Sequence, residues 1–281
     1  MASIRDIRRR IRSVRNMEQI TKAMKMVAAA RLRKCQERVT AARPYTRQMQ
    51  EILVRLAQNQ AEVTHPLLEK RPVHTVGYVL ITSDRGLCGG YNANLIRLTN
   101  DLIAKEEHEA KLIAIGRKGR DFYRHGKVEM LSELIGFGDF PSYSVAKEIA
   151  EQVIRFYSEG TFDEVYLIYN EFISAINQQP KQIKLLPVEQ PEGETGKEYI
   201  FEPSPEEILN TLLPKYVETQ IYRTLLEGKA SEMGAKMTAM GAATDNAKDM
   251  IDRLTLQMNR ARQAAITKEI SEIVGGAAAL E

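Results

Sequence analysis

Apolar residues recur along the first 40 positions at Ile4, Ile7, Ile11, Val14, Met17, Ile20, Met24, Val27, Cys35 and Val39, and most positions between them are polar or basic. Steps of three and four place such residues on one stripe of a helix. No glycine or proline interrupts the chain before Pro44. The pattern therefore predicts one helix of roughly 55 residues, about 80 Å long at 1.5 Å per residue, which suits a coiled coil rather than a compact core. From Pro203 onward the same spacing returns through Ile208, Leu212, Tyr216, Ile221, Leu225, Met233, Met237, Met240, Ala247, Ile251, Leu254, Met258, Ala261, Ala265, Ile270, Ile273, Ala277 and Leu280. Pro214, Gly228, Gly234 and Gly241 are expected to kink or loosen its first part.

Between these stretches the pattern changes. Strand-like runs at 76–82, 111–115, 164–169 and 182–188 alternate with helical stretches at 92–106, 116–125 and 144–157. Alternating β and α predicts a mostly parallel sheet flanked by helices. The fold class read from the chain is α/β: a long antiparallel coiled coil of N- and C-terminal helices with an inserted Rossmann-like α/β domain. Its segments are 1–60 (N-terminal coiled-coil helix), 73–202 (globular domain) and 207–281 (C-terminal coiled-coil helix). The stretch VEQPEGETGKE reads as a polar loop.

One turn in the α/β part invites a chemical reading. In ITSDRGLCGGYNANL an apolar strand leads through glycines into a helix, the geometry in which backbone N–H groups cradle an anion. The spacing of Gly86, Gly89 and Gly90 fits neither G-x-G-x-x-G nor a P-loop, which needs a Lys and a Ser or Thr after its last glycine. Asp84 and Asn92 are also good turn and cap residues, so a tight chain reversal explains the sequence as well.

Charge adds an asymmetry. The formal net charge is +3, yet the first 60 residues carry 15 Lys or Arg against four acids, a local +11 that leaves −8 for the remainder. The N-terminal segment is thus suited to an acidic counterpart. Arg8, Arg9, Arg10, Arg12 and Arg15 could neutralise phosphates, but no aromatic residue lies among them for stacking on bases, so a solvated helix face competes with nucleic-acid binding.

Cys35 and Cys88 show no paired spacing, and His65, His74, His108 and His125 no metal-ligand clustering. No run of about 18 apolar residues occurs. Two residue-based alternatives stay open, a nucleotide-dependent enzyme on the α/β domain and a basic coiled-coil scaffold for nucleic acid.

Three stretches together resemble one family, the γ subunit of the rotary F-type ATP synthase of bacterial type. They are IRRRIRSVRNMEQITKAMKMVAAARLRK, TSDRGLCGGYN and AITKEISEIVGGAAA. The last fits the family's I-T-x-E-x-x-E-x-x-x-G-A pattern at Ile266, Thr267, Glu269, Glu272, Gly276 and Ala277. The resemblance implies a central-stalk subunit, not itself catalytic, that couples rotation of the proton-driven membrane c-ring to conformational change at the catalytic β subunits. It implies as partners the α and β subunits, the ε subunit and the c-subunit ring, with no nucleic acid, no cofactor and no membrane span of its own. The location implied is peripheral, on the cytoplasmic side of the cell membrane. Carried over by position, Met24, Lys25, Arg262, Gln263, Thr267 and Glu269 are the implied rotor–stator contacts, and Tyr216 and Glu218 the implied c-ring foot. The glycine turn is then a structural turn or a surface contact rather than a phosphate cradle.

Overall fold

The computed structural model describes residues 3–59, 65–189 and 205–278. The polar loop beyond Glu189 and the final Leu280 lie outside the described residues. Ten elements follow one another: α1 (Ile4–Asn59), β1 (Thr75–Ile81), α2 (Tyr91–Lys105), β2 (Glu109–Ile115), α3 (Arg117–Tyr123), β3 (Glu129–Leu134), α4 (Tyr143–Ser158), β4 (Glu164–Phe172), β5 (Gln178–Leu186) and α5 (Pro205–Ala278). The expected kinks do not break α5, which runs unbroken for 74 residues with Pro214 inside it.

The strands form a single sheet in the order β3-β2-β1-β4-β5. Pairing is parallel except for the last strand, which returns antiparallel beside β4 with Phe172 opposite Gln178. The sequence reading missed β3 because EMLSEL shows no apolar run. It is a half-buried edge strand whose glutamates pair with Lys111 and Arg120, the usual way an edge is kept from pairing further.

Side chains alternate between the two faces of the sheet, as period-two geometry requires. Val76, Tyr78 and Leu80 of β1 join Leu112 and Ala114 of β2 and Ile168 of β4 on one face, closed by Tyr91 and Leu95 of α2 and Tyr123 of α3. Val79, Ile81, Ile113, Ile115, Val165, Leu167 and Tyr169 form the other face. Helix α4 covers it with Ala146, Ile149, Ala150 and Val153, and α5 covers it with Leu209, Leu213, Val217, Ile221 and Leu225. The first part of the C-terminal helix is therefore a layer of the α/β core, held by one apolar side chain per turn.

Compactness divides the chain into two units, Ala28–Lys236 on one hand and Met1–Val27 with Met237–Glu281 on the other. The division falls inside both long helices rather than at their ends. In the larger unit α1 buries Ala28, Leu32, Cys35, Val39, Met49 and Leu53.

Two local features fix the α/β core. A β-carbon at Gly77 would stand 2.9 Å from the Phe162 ring, so only glycine lets that ring lie flat on β1. Asp163, just before β4, accepts the N–H groups of His74 and Thr75 at 2.9 and 3.0 Å, and Arg71 spans from it to the carbonyls of Tyr157 and Phe162. Burial alone would raise the Asp163 carboxyl, but the two N–H donors and the Arg71 charge outweigh it and hold it below the usual carboxylate range.

Gly77→Val should destabilise the full chain by about 1–3 kcal/mol through overpacking, read as a lower urea midpoint. A carboxyl depressed in the folded state contributes stability above its unfolded pKa, and that contribution is lost as pH falls through the folded value. Asp163→Asn should therefore lower the urea midpoint at pH 7, and its deficit against the parent should shrink as pH falls below about 4.

Candidate functional site: the paired terminal helices

The smaller unit contains the start of α1 and the later part of α5, and one polar contact sets their register. The Thr244 hydroxyl donates to the Thr21 hydroxyl at 2.9 Å, and Thr21 donates to the Glu18 carbonyl at 3.0 Å, with both threonines buried. One turn away the Lys25 side chain lies across Gly241, its ammonium about 3.5 Å from where a β-carbon would stand. On the other side of the threonines, Arg15, Glu18 and Gln19 line a shallow groove with Lys248, Ile251 and Asp252. The pair is thus antiparallel.

Stepping outward by alternating threes and fours brings Val14 level with Ile251, Ile11 with Leu254, Ile7 with Met258 and Ile4 with Ala261. Both helices keep a seven-residue apolar repeat here, the pattern of a left-handed coiled coil. Ile7 and Ile11 are buried, while Ile251, Leu254, Met258 and Ala261 are half-buried.

This seam differs from the stripe expected from apolar residues alone. Met17, Ile20 and Val27 of α1 and Ile270 and Ile273 of α5 are exposed, and the contact line passes through Thr21 and Lys25 instead. A strict heptad continued from Ile4, Ile7, Ile11 and Val14 reaches Glu18, Thr21, Lys25 and Ala28. That repeat was the available signal, but neither threonine is apolar, so a hydropathy stripe passes over both.

Beyond Ala265 no described residue of α1 stands level with α5. Ile266, Ile270, Ile273 and Val274 are 49, 56, 72 and 62% exposed on a single helix. Their spacing makes one apolar face on which no described residue of another element packs. The opposite electrostatic feature belongs to α1: Arg8, Arg10, Arg12 and Arg15 are exposed and form no ion pair among the described residues, whereas Arg9 pairs with Asp6 at 3.3 Å.

Six of the residues singled out from the sequence lie in this unit. Met24 is half-buried and Lys25 is exposed beside Gly241. Arg262, Gln263, Thr267 and Glu269 are all exposed, and the Thr267 hydroxyl donates to the Gln263 carbonyl of its own helix at 2.9 Å. The structure thus brings Met24 and Lys25 together at one level and leaves the other four on the single-helix stretch of α5 or at its start.

Tyr216 and Glu218 lie in the larger unit, on the part of α5 that covers the sheet. Tyr216 is half-buried against that core. Glu218 is only 5% exposed, and its carboxylate accepts from the Tyr143 hydroxyl at 2.7 Å and pairs with Lys215 at 2.9 Å. Burial by itself would raise this carboxyl, but the two donors keep it below the ordinary value. Across the same hydrogen bond Tyr143 is pushed up to about 12, by burial first and by Glu218 second.

Ser83 and Asp84 of the glycine turn use their polar groups on neighbouring segments of the same fold. Ser83 donates its backbone N–H to the Asn92 side chain at 3.0 Å, and the carboxylate of Asp84 accepts the backbone N–H groups of Arg117 and Gly136, each at 3.0 Å. Among the described residues no group of three His, Cys, Asp or Glu is placed to hold a metal ion, and no helix is long and apolar enough to cross a membrane.

Comparison with known proteins gives these features a context. The ATP synthase family profile matches residues 3–280. The chain is similar to the ATP synthase gamma chain of Desulfitobacterium hafniense, with 74% identity over the full length of both, and to that of Heliobacterium modesticaldum, with 56% identity and the same coverage. Among solved structures it resembles a chain of the Tetrahymena thermophila mitochondrial ATP synthase central stalk and c-ring at 28% identity and a TM-score of 0.62, covering 80% of this chain and 99% of that one. A chain of the Euglena gracilis mitochondrial enzyme shares the fold with a TM-score of 0.74 at 20% identity, covering 99% and 94%. With the profile matched over 3–280 and a gamma chain 74% identical over the full length of both, the chain belongs to the ATP synthase γ-chain family.

Proposed function

We propose that this central-stalk subunit, which has no catalysis of its own, couples rotation of a proton-driven c-ring to conformational change in catalytic β subunits. The observation that carries the proposal is the exposed apolar face of α5 at Ile266, Ile270, Ile273 and Val274. A single helix does not keep four such residues in water without a partner surface. In this reading the surrounding subunits of the catalytic hexamer supply that surface.

Coupling of this sort needs differential contact. A shaft biases a bistable subunit only by touching its two states unequally. The paired helices present unlike faces for that purpose: unpaired arginines on α1, an exposed apolar strip at Met17, Ile20 and Val27, and the Thr- and Glu-bearing surface of α5. Met24, Lys25, Arg262, Gln263, Thr267 and Glu269 are the proposed contacts with the α and β subunits. Contacts made by the exposed arginines with acidic loops would be screened beyond the Debye length of about 8 Å.

At the other end of the assignment, Tyr216 is proposed as the residue nearest the c-ring. Glu218, being buried, would act there by fixing Tyr143 and Lys215 rather than by direct touch. The segments 1–60, 73–202 and 207–281 would serve as shaft strand, globular body and second shaft strand. A position on the cytoplasmic side of the cell membrane, beside ε and held through the ring, follows from the same reading.

Recovery of the chain from membranes together with α and β subunits tests the assignment, and an isolated chain that binds or turns over nucleotide would defeat it. Gln263→Leu and Thr267→Ala alter exposed side chains, so each should shift stability by no more than about 0.5 kcal/mol. In the assembled complex they should nevertheless reduce the protons pumped per ATP hydrolysed, and unchanged pumping would remove these two residues from the contact set. Cys35 is buried and its thiol is pushed up to about 11, chiefly by burial, while Cys88 is also buried and raised. Thiolate is the reactive form. Native complex should therefore show no alkylation of either cysteine, and its activity should not respond to a dithiol reductant.

A further inference from the structure

The coupling reading leaves one motif unexplained, the glycine turn after β1, and the structure gives it a mechanical task. Asp84 stands at its centre. Its carboxylate takes the N–H of Arg117, which opens α3, and the N–H of Gly136, in the loop between β3 and α4. One side chain thus ties together the loops that follow β1, β2 and β3.

The loop that Asp84 holds reaches both long helices. Gly136 and Gly138 turn it with φ of +76° and +80°, a backbone region that suits glycine. Asp139 then pairs with Arg31 of α1 at 2.6 Å, and the Phe140 ring lies 4.8 Å from the Arg38 guanidinium of the same helix. On the other side the Phe137 ring lies 4.8 Å from the ammonium of Lys229 on α5. Lys229 is buried and bound to Glu232, which also receives Lys236. Where the loop enters α4, Tyr143 bonds Glu218 of α5.

Only part of the loop is close-packed: the Phe137 ring lies against the sheet core. A cavity of about 280 Å³ opens between Asp84, Gly136, Gly138 and the buried Lys229–Glu232 pair. Around that cavity the loop is held by point contacts. The Arg31–Asp139 pair is modest by itself, because it is about one-third exposed on both sides and such pairs are partly screened. Their arrangement matters more than any one of them: two act on α1, two on α5, and Asp84 sets the origin of all four.

We propose that the 135–143 loop is a clasp fastening α1 and α5 to the sheet, and that Asp84 is its positioning residue. This deepens the central-stalk reading and rests on it: a shaft strand that slips against the globular body under load would turn without carrying it. Hydrolysis by the catalytic subunits does not require the clasp, whereas transmission against a proton gradient does.

The test uses the assembled membrane complex, with ATP hydrolysis and ATP-driven proton pumping measured on the same vesicles. Asp84→Ala with Phe140→Ala should leave hydrolysis within about twofold of the parent and lower pumping per ATP about fivefold, the lower end of ordinary coupling between sites. Asp139→Asn, on a partly exposed side chain with no bearing on the core, should move pumping in the same direction and guards against a folding defect in the double variant. Adding Arg31→Cys and Asp139→Cys to the Phe140→Ala background and joining them with a short bis-maleimide should restore pumping, since Cys35 and Cys88 are buried and leave the reagent to the new thiols. Unchanged pumping in the first two variants, or pumping that stays low after a verified cross-link, overturns the clasp. A parent complex that hydrolyses ATP but does not pump overturns the central-stalk reading, and the clasp with it.

Discussion

The organisation of this chain depends on a single constraint: α5 must satisfy two different partners along one unbroken helix. Its early turns bury Leu209, Leu213, Val217, Ile221 and Leu225 against the sheet, at one residue per turn. Its later turns follow a seven-residue repeat that suits another helix. A 3.6-residue helix cannot present the same stripe to both without drift, and the chain handles the change with small residues: Gly228 accepts the Tyr91 hydroxyl on its carbonyl, Gly234 lies against Ala175 and Gln178, and Gly241 admits Lys25. Glycines read from sequence as points of weakness are in fact points of close approach. The helix continues through them because tertiary contact outweighs their poor helix propensity.

The same constraint explains where the polar groups are buried. Glu218, Glu227, Lys229 and Glu232 all lie on α5 within the α/β unit, and each is met by a cation or a carboxylate one turn away on the same helix, with Tyr143 and Phe137 adding contacts to two of them. Breaking one partner of such a pair would leave a charge without water or counterion, which is far costlier than losing an exposed pair. These pairs turn with the helix, so its azimuth is fixed by the groups that other elements set against it: Tyr143 on Glu218, Phe137 on Lys229 and the Tyr91 hydroxyl on the Gly228 carbonyl. For a subunit whose task is to transmit a twist, resistance to azimuthal slip is the relevant stiffness.

In the terminal pair the balance is different. The seam is apolar between Ile4 and Val14 and becomes polar and small at Glu18, Thr21 and Lys25. Threonine facing threonine satisfies both hydroxyls in one register only, so that layer contributes specificity where apolar area is scarce. Outside the seam, α1 displays Met17, Ile20 and Val27 and α5 displays Ile266, Ile270, Ile273 and Val274, apolar side chains left exposed among the described residues.

Local pattern carried much of this. The two long helices, the alternation of β and α between them and the parallel character of the sheet follow from spacing alone, because helix and strand periods are written into side-chain positions. The C-terminal motif likewise identified the family. Strand β3 stayed hidden, since an edge strand with glutamates facing water has no apolar run, and the seam through Thr21 and Thr244 stayed hidden because a shared hydrogen bond makes no hydropathy signal. The glycine motif could be read as a turn but its partner could not: Asp84 accepts the backbone N–H of Gly136, 52 residues away. The sequence determined the elements and their periods, which are properties of neighbouring residues. Tertiary structure decided which stripe faces which partner and what Asp84 holds, because those depend on atoms that only the folded chain brings within hydrogen-bonding distance.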